Sequence, residues 1–73
     1  MCGIVGYTGN MQAAPILLNG LKKLEYRGYD SAGIAVMNDN KIEISKTSGR
    51  IANLCEKTDN GKNMPGCTGI GHT

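Results

Sequence analysis

The chain has 73 residues and a formal charge of +2, which allows at most one small domain burying only about 60% of its unfolded surface. Fourteen residues are Leu, Ile or Val, with no Phe or Trp and with 11 glycines, an apolar inventory too thin to promise a self-sufficient core, although the low net charge argues against a disordered chain. Eight basic residues lie scattered among six acidic ones, without the basic stripe that tracks a phosphate backbone, so no nucleic-acid partner is expected.

Residues Cys2 to Tyr7 are apolar and β-branched around Gly3 and Gly6, the pattern of a short buried strand whose backbone is closely approached. Thr8, Gly9 and Asn10 break it. From about Gln12 to Tyr26, the spacing of Ala14, Leu17, Leu18, Leu21 and Leu24 predicts a helix with one apolar stripe, turning Asn19, Lys22, Lys23 and Glu25 away. Pro15 is tolerated only in the first turn, which sets the start near Met11 to Ala13. Gly20 in mid-helix points to close packing against a neighbour, and Gly28 supplies a left-handed stop.

Ser31 to Met37 is small and apolar and reads as a strand buried on both faces. Asn38-Asp39-Asn40 is a turn, after which Lys41 to Lys46 sets Ile42 and Ile44 on one side against Glu43 and Ser45, giving a hairpin with one wetter strand. Ser48 is positioned to cap a second helix in which Ile51, Leu54 and Cys55 share a face. The turn formers between Thr58 and Gly66 make a loop, and Thr68 to Thr73 begins a further strand. The order is strand, helix, strand, strand, helix, strand, an α+β pattern without internal repeats.

No apolar run approaches the ~20 residues of a membrane span, and the N-terminus lacks a signal-peptide pattern, so a cytoplasmic location is expected. Three cysteines cannot all pair in one chain, and a reducing compartment keeps them as thiols. Inert burial is the expectation for Cys55 and Cys67. Gly3, Gly6 and Gly9 cannot be a dinucleotide fingerprint, since no strand precedes them, and Gly61-Lys62 fails as a P-loop because Glu56 stands where the leading glycine belongs. Cys67 and His72 lack a second ligand pair, so neither metal nor cofactor is expected.

Cys2 carries the sharpest chemical suggestion. A small second residue permits removal of Met1, and a terminal cysteine brings its own base, because an α-amine of pKa near 7.7–8.0 can take the proton of a thiol near 8.5. The competing reading is a small buried hydrophobe, and residue type leaves both open. The polar segment Tyr26-Arg27-Gly28-Tyr29-Asp30-Ser31 is similarly open. Gly28 allows close backbone approach and Arg27 offers a fork of donors, yet a capped turn with a surface Arg27–Asp30 pair fits the same residues.

Three stretches then match in one register: Met-Cys-Gly-Ile-Val-Gly-Tyr at 1–7, Leu-Glu-Tyr-Arg-Gly-Tyr-Asp-Ser-Ala-Gly-Ile-Ala at 24–35, and Thr-Gly-Ile-Gly-His-Thr at 68–73. Together they resemble the glutamine–fructose-6-phosphate aminotransferase family of class II glutamine amidotransferases. The opening motif is shared with amidophosphoribosyltransferases and asparagine synthetases, whereas the Tyr-Arg-Gly-Tyr-Asp-Ser wording is similar to the hexosamine enzymes.

The resemblance implies that residues 1–73 are the N-terminal part of a glutamine amidotransferase type-2 domain. The fold would be part of an N-terminal-nucleophile αββα sandwich, with the rest of that domain and the sugar isomerase domains outside the chain. Cys2 would be the nucleophile that releases ammonia from glutamine, and Arg27 and Gly28 would support it. The full-length family would use glutamine and fructose 6-phosphate in hexosamine biosynthesis, need no cofactor here, and form a homo-oligomer. In the family, Gly-His-Thr is followed by Arg-Trp-Ala-Thr-His-Gly, and that Arg, an Asn-Gly oxyanion pair and an Asp for the substrate amine all fall beyond residue 73. The 73 residues alone are therefore expected to be inactive, and their small apolar inventory predicts weak stability. The alternatives are a truncated non-catalytic product acting as an interaction segment through its strand edges, or another class II amidotransferase such as an amidophosphoribosyltransferase.

Overall fold

In the computed structural model, which describes residues 3–25 and 30–73, the elements follow the expected order: β1 (Ile4–Thr8), α1 (Ala13–Leu24), β2 (Ser31–Asn38), β3 (Lys41–Ser48), α2 (Ile51–Lys57) and β4 (Thr68–His72). The strands form one antiparallel sheet in the order β1-β4-β2-β3, so the last strand is inserted between the first two. The hairpin is tight. Asn38 pairs with Lys41, leaving Asp39 and Asn40 as a two-residue loop with positive φ of 52° and 65°, the backbone that matches strand twist and that Asp and Asn tolerate.

Helix α1 begins at Ala13, so Pro15 lies in its first turn as its chemistry requires. The loop that follows α2 satisfies this helix end. Gly66 O accepts the Ala13 N–H (2.8 Å), while Gln12 Nε2 donates to the carbonyls of Gly61 (2.7 Å) and Met64 (3.1 Å). Within the loop, Thr58 Oγ1 donates to Leu54 O (2.8 Å) and accepts the Gly61 N–H (3.2 Å). The apolar stripe of α1 is the expected one, with Ala13, Ala14, Leu17, Leu18 and Leu21 buried. At Gly20, an added Cβ would stand 2.9 Å from Val5 Cγ1, so the close packing inferred for this glycine is against β1. The described helix runs to Leu24, and the expected end at Tyr26 and stop at Gly28 lie outside the described residues.

Both helices pack on one face of the sheet, over Ala32, Ile34 and Val36 of β2, and this corrects several expectations. β2 is buried on both faces only in its first half: on the face away from the helices Gly33 is buried and Ala35 half-buried, but Met37 is 48% exposed. β1 is an edge strand with alternating exposure, not a buried strand. β3 alternates as expected, but Ile42 and Ile44 point to the uncovered side. Ser48 does not cap α2: it ends β3, paired with Ser31, and Gly49, with φ of 88°, turns the chain before the helix starts. The core joins α1, α2 and β2 through Leu17, Leu21, Ile34, Val36, Ile51 and Leu54. Among the described residues, no helix is long and apolar enough to cross a membrane.

Candidate functional site

Because every pairing is antiparallel, β1 and β2 begin at the same end of the sheet where β3 and β4 finish. The register at that end runs Ile4↔His72, His72↔Gly33 and Ser31↔Ser48. Both stretches singled out for chemistry join the sheet here: Cys2 directly precedes Gly3, and the 26–29 segment directly precedes Asp30. Cys2, Arg27 and Gly28 themselves lie outside the described residues. The structure places their flanks.

Gly3 is held on two sides. Its N–H donates to Thr73 Oγ1 (3.2 Å), its carbonyl accepts the Thr73 N–H (3.0 Å), and a Cβ at Gly3 would stand 2.6 Å from Leu24 Cδ1. A residue two positions before the 26–29 segment thus packs on the residue next to Cys2.

The two flanks of 26–29 are tied to one junction. Glu25 Oε2 accepts the Ile51 N–H (2.9 Å) and Oε1 accepts from Arg50 Nη2 (3.3 Å), while Asp30 O accepts the Gly49 N–H (2.8 Å). Residues 49–51 therefore anchor both sides of the connection from α1 to β2. Glu25 takes over the capping that Ser48 was expected to give, since a carboxylate accepting an orphan N–H of the first turn stabilises a helix start. The Ile51 N–H, aided by the Arg50 guanidinium, holds the Glu25 carboxyl below its usual range against the opposing effect of burial.

A depression of about 310 Å³ lies at this same end, lined by Ser31, Ala32, Lys46, Thr47, Ser48 and His72. Thr47 Oγ1 is shielded from solvent with no hydrogen-bond partner among the described residues. A larger depression of about 480 Å³, lined by Lys22, Cys55 and Asp59 among others, carries none of the expected chemistry. The two other cysteines part company. Cys55 is buried as expected, but Cys67 is exposed; it sits in the approach to β4, where its carbonyl is engaged by the Gly9 N–H (3.1 Å).

Sequence reasoning alone missed Thr73 and Glu25. Glu25 was expected to face solvent with Lys22 and Lys23, and its partners lie 25 and 26 positions away. The only available signal was that Glu25 and Thr73 fall inside the motifs at 24–35 and 68–73.

By class, then, this is a mixed α/β unit: a four-stranded antiparallel sheet with two helices and a cluster of strand ends around its first residues. No family model matches it. Its relatives are nonetheless close. Over all 73 residues the chain is 58% identical to a glutamine–fructose-6-phosphate aminotransferase (isomerizing) of Clostridium acetobutylicum, and 60% identical to those of Clostridium tetani and Bacillus subtilis. It spans 12% of the length of each of these relatives. Over its whole length the chain is thus similar to the N-terminal segment of glutamine–fructose-6-phosphate aminotransferases.

Proposed function

We propose that these residues supply the nucleophile of a glutaminase, as the N-terminal part of a glutamine amidotransferase type-2 domain within a longer fructose-6-phosphate aminotransferase. With Met1 removed, the Cys2 thiol passes its proton to its own α-amine, directly or through a water, and the sulfur attacks the side-chain carboxamide carbon of glutamine. The tetrahedral intermediate collapses as the nitrogen takes that proton and leaves as ammonia, which forms a γ-glutamyl thioester. Water then attacks the thioester, releasing glutamate and restoring the thiol. The ammonia is consumed in converting fructose 6-phosphate to glucosamine 6-phosphate elsewhere in the longer protein. Arg27 and Gly28 act beside the nucleophile as donor and as point of close approach. By the same resemblance, the longer protein is a cytoplasmic homo-oligomer.

The observation that carries the reading is the convergence of the flanks of Cys2 and of 26–29 at one end of the sheet, with Leu24 packed on Gly3. A nucleophile and its supporting groups need such mutual placement before chemistry begins. The αββα architecture draws support from the uncovered face. Ile4, Ile70, Met37, Ile42 and Ile44 are 77%, 57%, 48%, 63% and 65% exposed there, and a sheet apolar on both faces calls for a layer on each. The second layer would come from the remaining length of the domain.

Ammonia release from glutamine by the full-length protein carrying this segment tests the proposal. Wild-type protein is expected to turn over glutamine, Cys2→Ala to abolish it, and mass spectrometry to find Met1 absent. Hydrolysis that survives Cys2→Ala would refute it. The isolated 73 residues are expected to release no ammonia, because oxyanion donors are each worth about 10²–10³ in rate and the reading assigns them to positions beyond residue 73.

A further inference from the structure

We infer that Thr73 is a positioning residue for the nucleophile, its hydroxyl fixing the orientation of the peptide that joins Cys2 to Gly3. The inference rests on the glutaminase reading above and adds a residue to it.

The Gly3 N–H belongs to the peptide unit whose other end is the Cys2 Cα. Peptide planarity ties that Cα to the direction of the N–H. A hydrogen bond that sets the N–H therefore sets the plane from which the thiol and the terminal amine are suspended. Only rotations within Cys2 are left to bring sulfur and nitrogen onto the substrate.

Thr73 holds Gly3 on both sides: Oγ1 takes the Gly3 N–H of the Cys2–Gly3 peptide (3.2 Å), and its own N–H donates to Gly3 O in the following peptide (3.0 Å), which fixes Thr73 beside that first bond. Together these bonds carry the β1–β4 pairing one step past Ile4↔His72. The acceptor is a side chain on a β-branched residue, whose few χ1 choices hold Oγ1 in place. Leu24 closes the opposite side of Gly3. The chain is thereby held at Gly3, directly before β1, where a segment near a terminus would otherwise fray.

The test compares Thr73→Val, which keeps the shape and deletes the acceptor, with Thr73→Ser, which keeps the acceptor and sheds the methyl group. Both are made in the full-length protein, with glutamine hydrolysis and Gly3 amide exchange measured in each. A misplaced reacting atom costs on the order of 10²-fold per ångström, so Thr73→Val is expected to lower kcat by about 10-fold or more, with KM for glutamine within about twofold, and to speed Gly3 exchange. Thr73→Ser should restore kcat to within about threefold of wild type. An unchanged kcat in the valine variant overturns the inference. So does a serine variant as impaired as the valine one, which would assign the loss to packing, or a rise in KM with kcat intact, which would assign Thr73 to substrate binding. A wild-type protein indifferent to Cys2→Ala overturns the glutaminase reading and this inference with it. Slow Gly3 exchange with full hydrolysis in the valine variant refutes the role of Thr73 alone.

Discussion

The two faces of the sheet are built from different residues, and β4 displays the contrast within five positions. Toward the helices it presents Gly69 and Gly71, and added Cβ atoms there would stand 3.0 Å from Leu17 Cδ1 and 3.2 Å from Leu21 Cδ1. Toward the open side it presents Ile70, 57% exposed. Glycine lets α1 lie directly on the strand, so the covered face reaches core density with few atoms. On the open face, large β-branched and flexible side chains are left exposed, and under the proposed αββα architecture they would meet a second sheet. Four of the 14 aliphatic Leu, Ile and Val residues are spent there: Ile4, Ile42, Ile44 and Ile70. Each forgoes part of the about 1.5–3 kcal/mol that full burial of such a side chain supplies, which thins further a core already short of aliphatic residues.

Truncation breaks or confirms this contrast most forcefully. Leu21→Ala is expected to cost about 2–5 kcal/mol in any chain that contains this fold. Ile70→Ala should cost a similar amount in the full-length protein but remain within about 0.5 kcal/mol in the 73-residue chain, where the site is at the surface. Urea denaturation of both lengths measures the difference, and an Ile70→Ala variant equally harmless in both would leave the open face without a second layer.

Filling the glycines sharpens the contrast at smaller scale. Gly71→Ala places a methyl against Ile34 Cγ2 at 3.1 Å and should cost about 1–3 kcal/mol through overpacking. Gly6→Ala, on the open face with its nearest atoms at 3.9 Å, should change the stability of the 73-residue chain by no more than about 0.5 kcal/mol. Equal costs at the two positions would deny the asymmetry.

The smallest effect concerns the junction at residues 49–51. Glu25→Ala removes the acceptor for Ile51 N–H and Arg50 and is expected to cost about 1 kcal/mol, the scale of a lost helix cap. Its pH dependence has a definite sign. The folded carboxyl titrates below the usual value of 4.5, so its contribution is complete above that value and disappears as pH falls through the lowered folded pKa. Stability curves of wild type and Glu25→Ala should therefore converge in acid and run parallel at neutral pH. Curves that stay apart below the carboxylate range would show that the charge is not what holds the junction.

The element order was legible because its signals are local: the leucine spacing of α1, Pro15 at its start, and the Asp39-Asn40 turn. The insertion of β4 between β1 and β2 was not, since it depends on pairings such as Gly6↔Ile70 that no local pattern encodes. Alternation in β3 revealed which residues share a face, but a sequence does not state which face a helix will cover, and Ile42 and Ile44 fell on the open side. At the candidate site, residue type and position singled out Cys2 but left its two readings open, and only the resemblance pointed to a nucleophile. The hold of Thr73 and Leu24 on Gly3, and of Glu25 and Asp30 on residues 49–51, was not legible, because a threonine at a strand end and a glutamate beside two lysines both look like solvent-facing residues until distant segments arrive.

The central claim is that the strand ends frame Cys2 as a nucleophile toward the glutamine carboxamide. Its most direct measurement is peptide mapping of the full-length protein after reaction with an electrophilic diazoketone analogue of glutamine. The account predicts one adduct per chain, located on Cys2 and prevented by excess glutamine. An adduct confined to the exposed Cys67, or full glutamine hydrolysis by a protein whose Cys2 is already blocked, would contradict it.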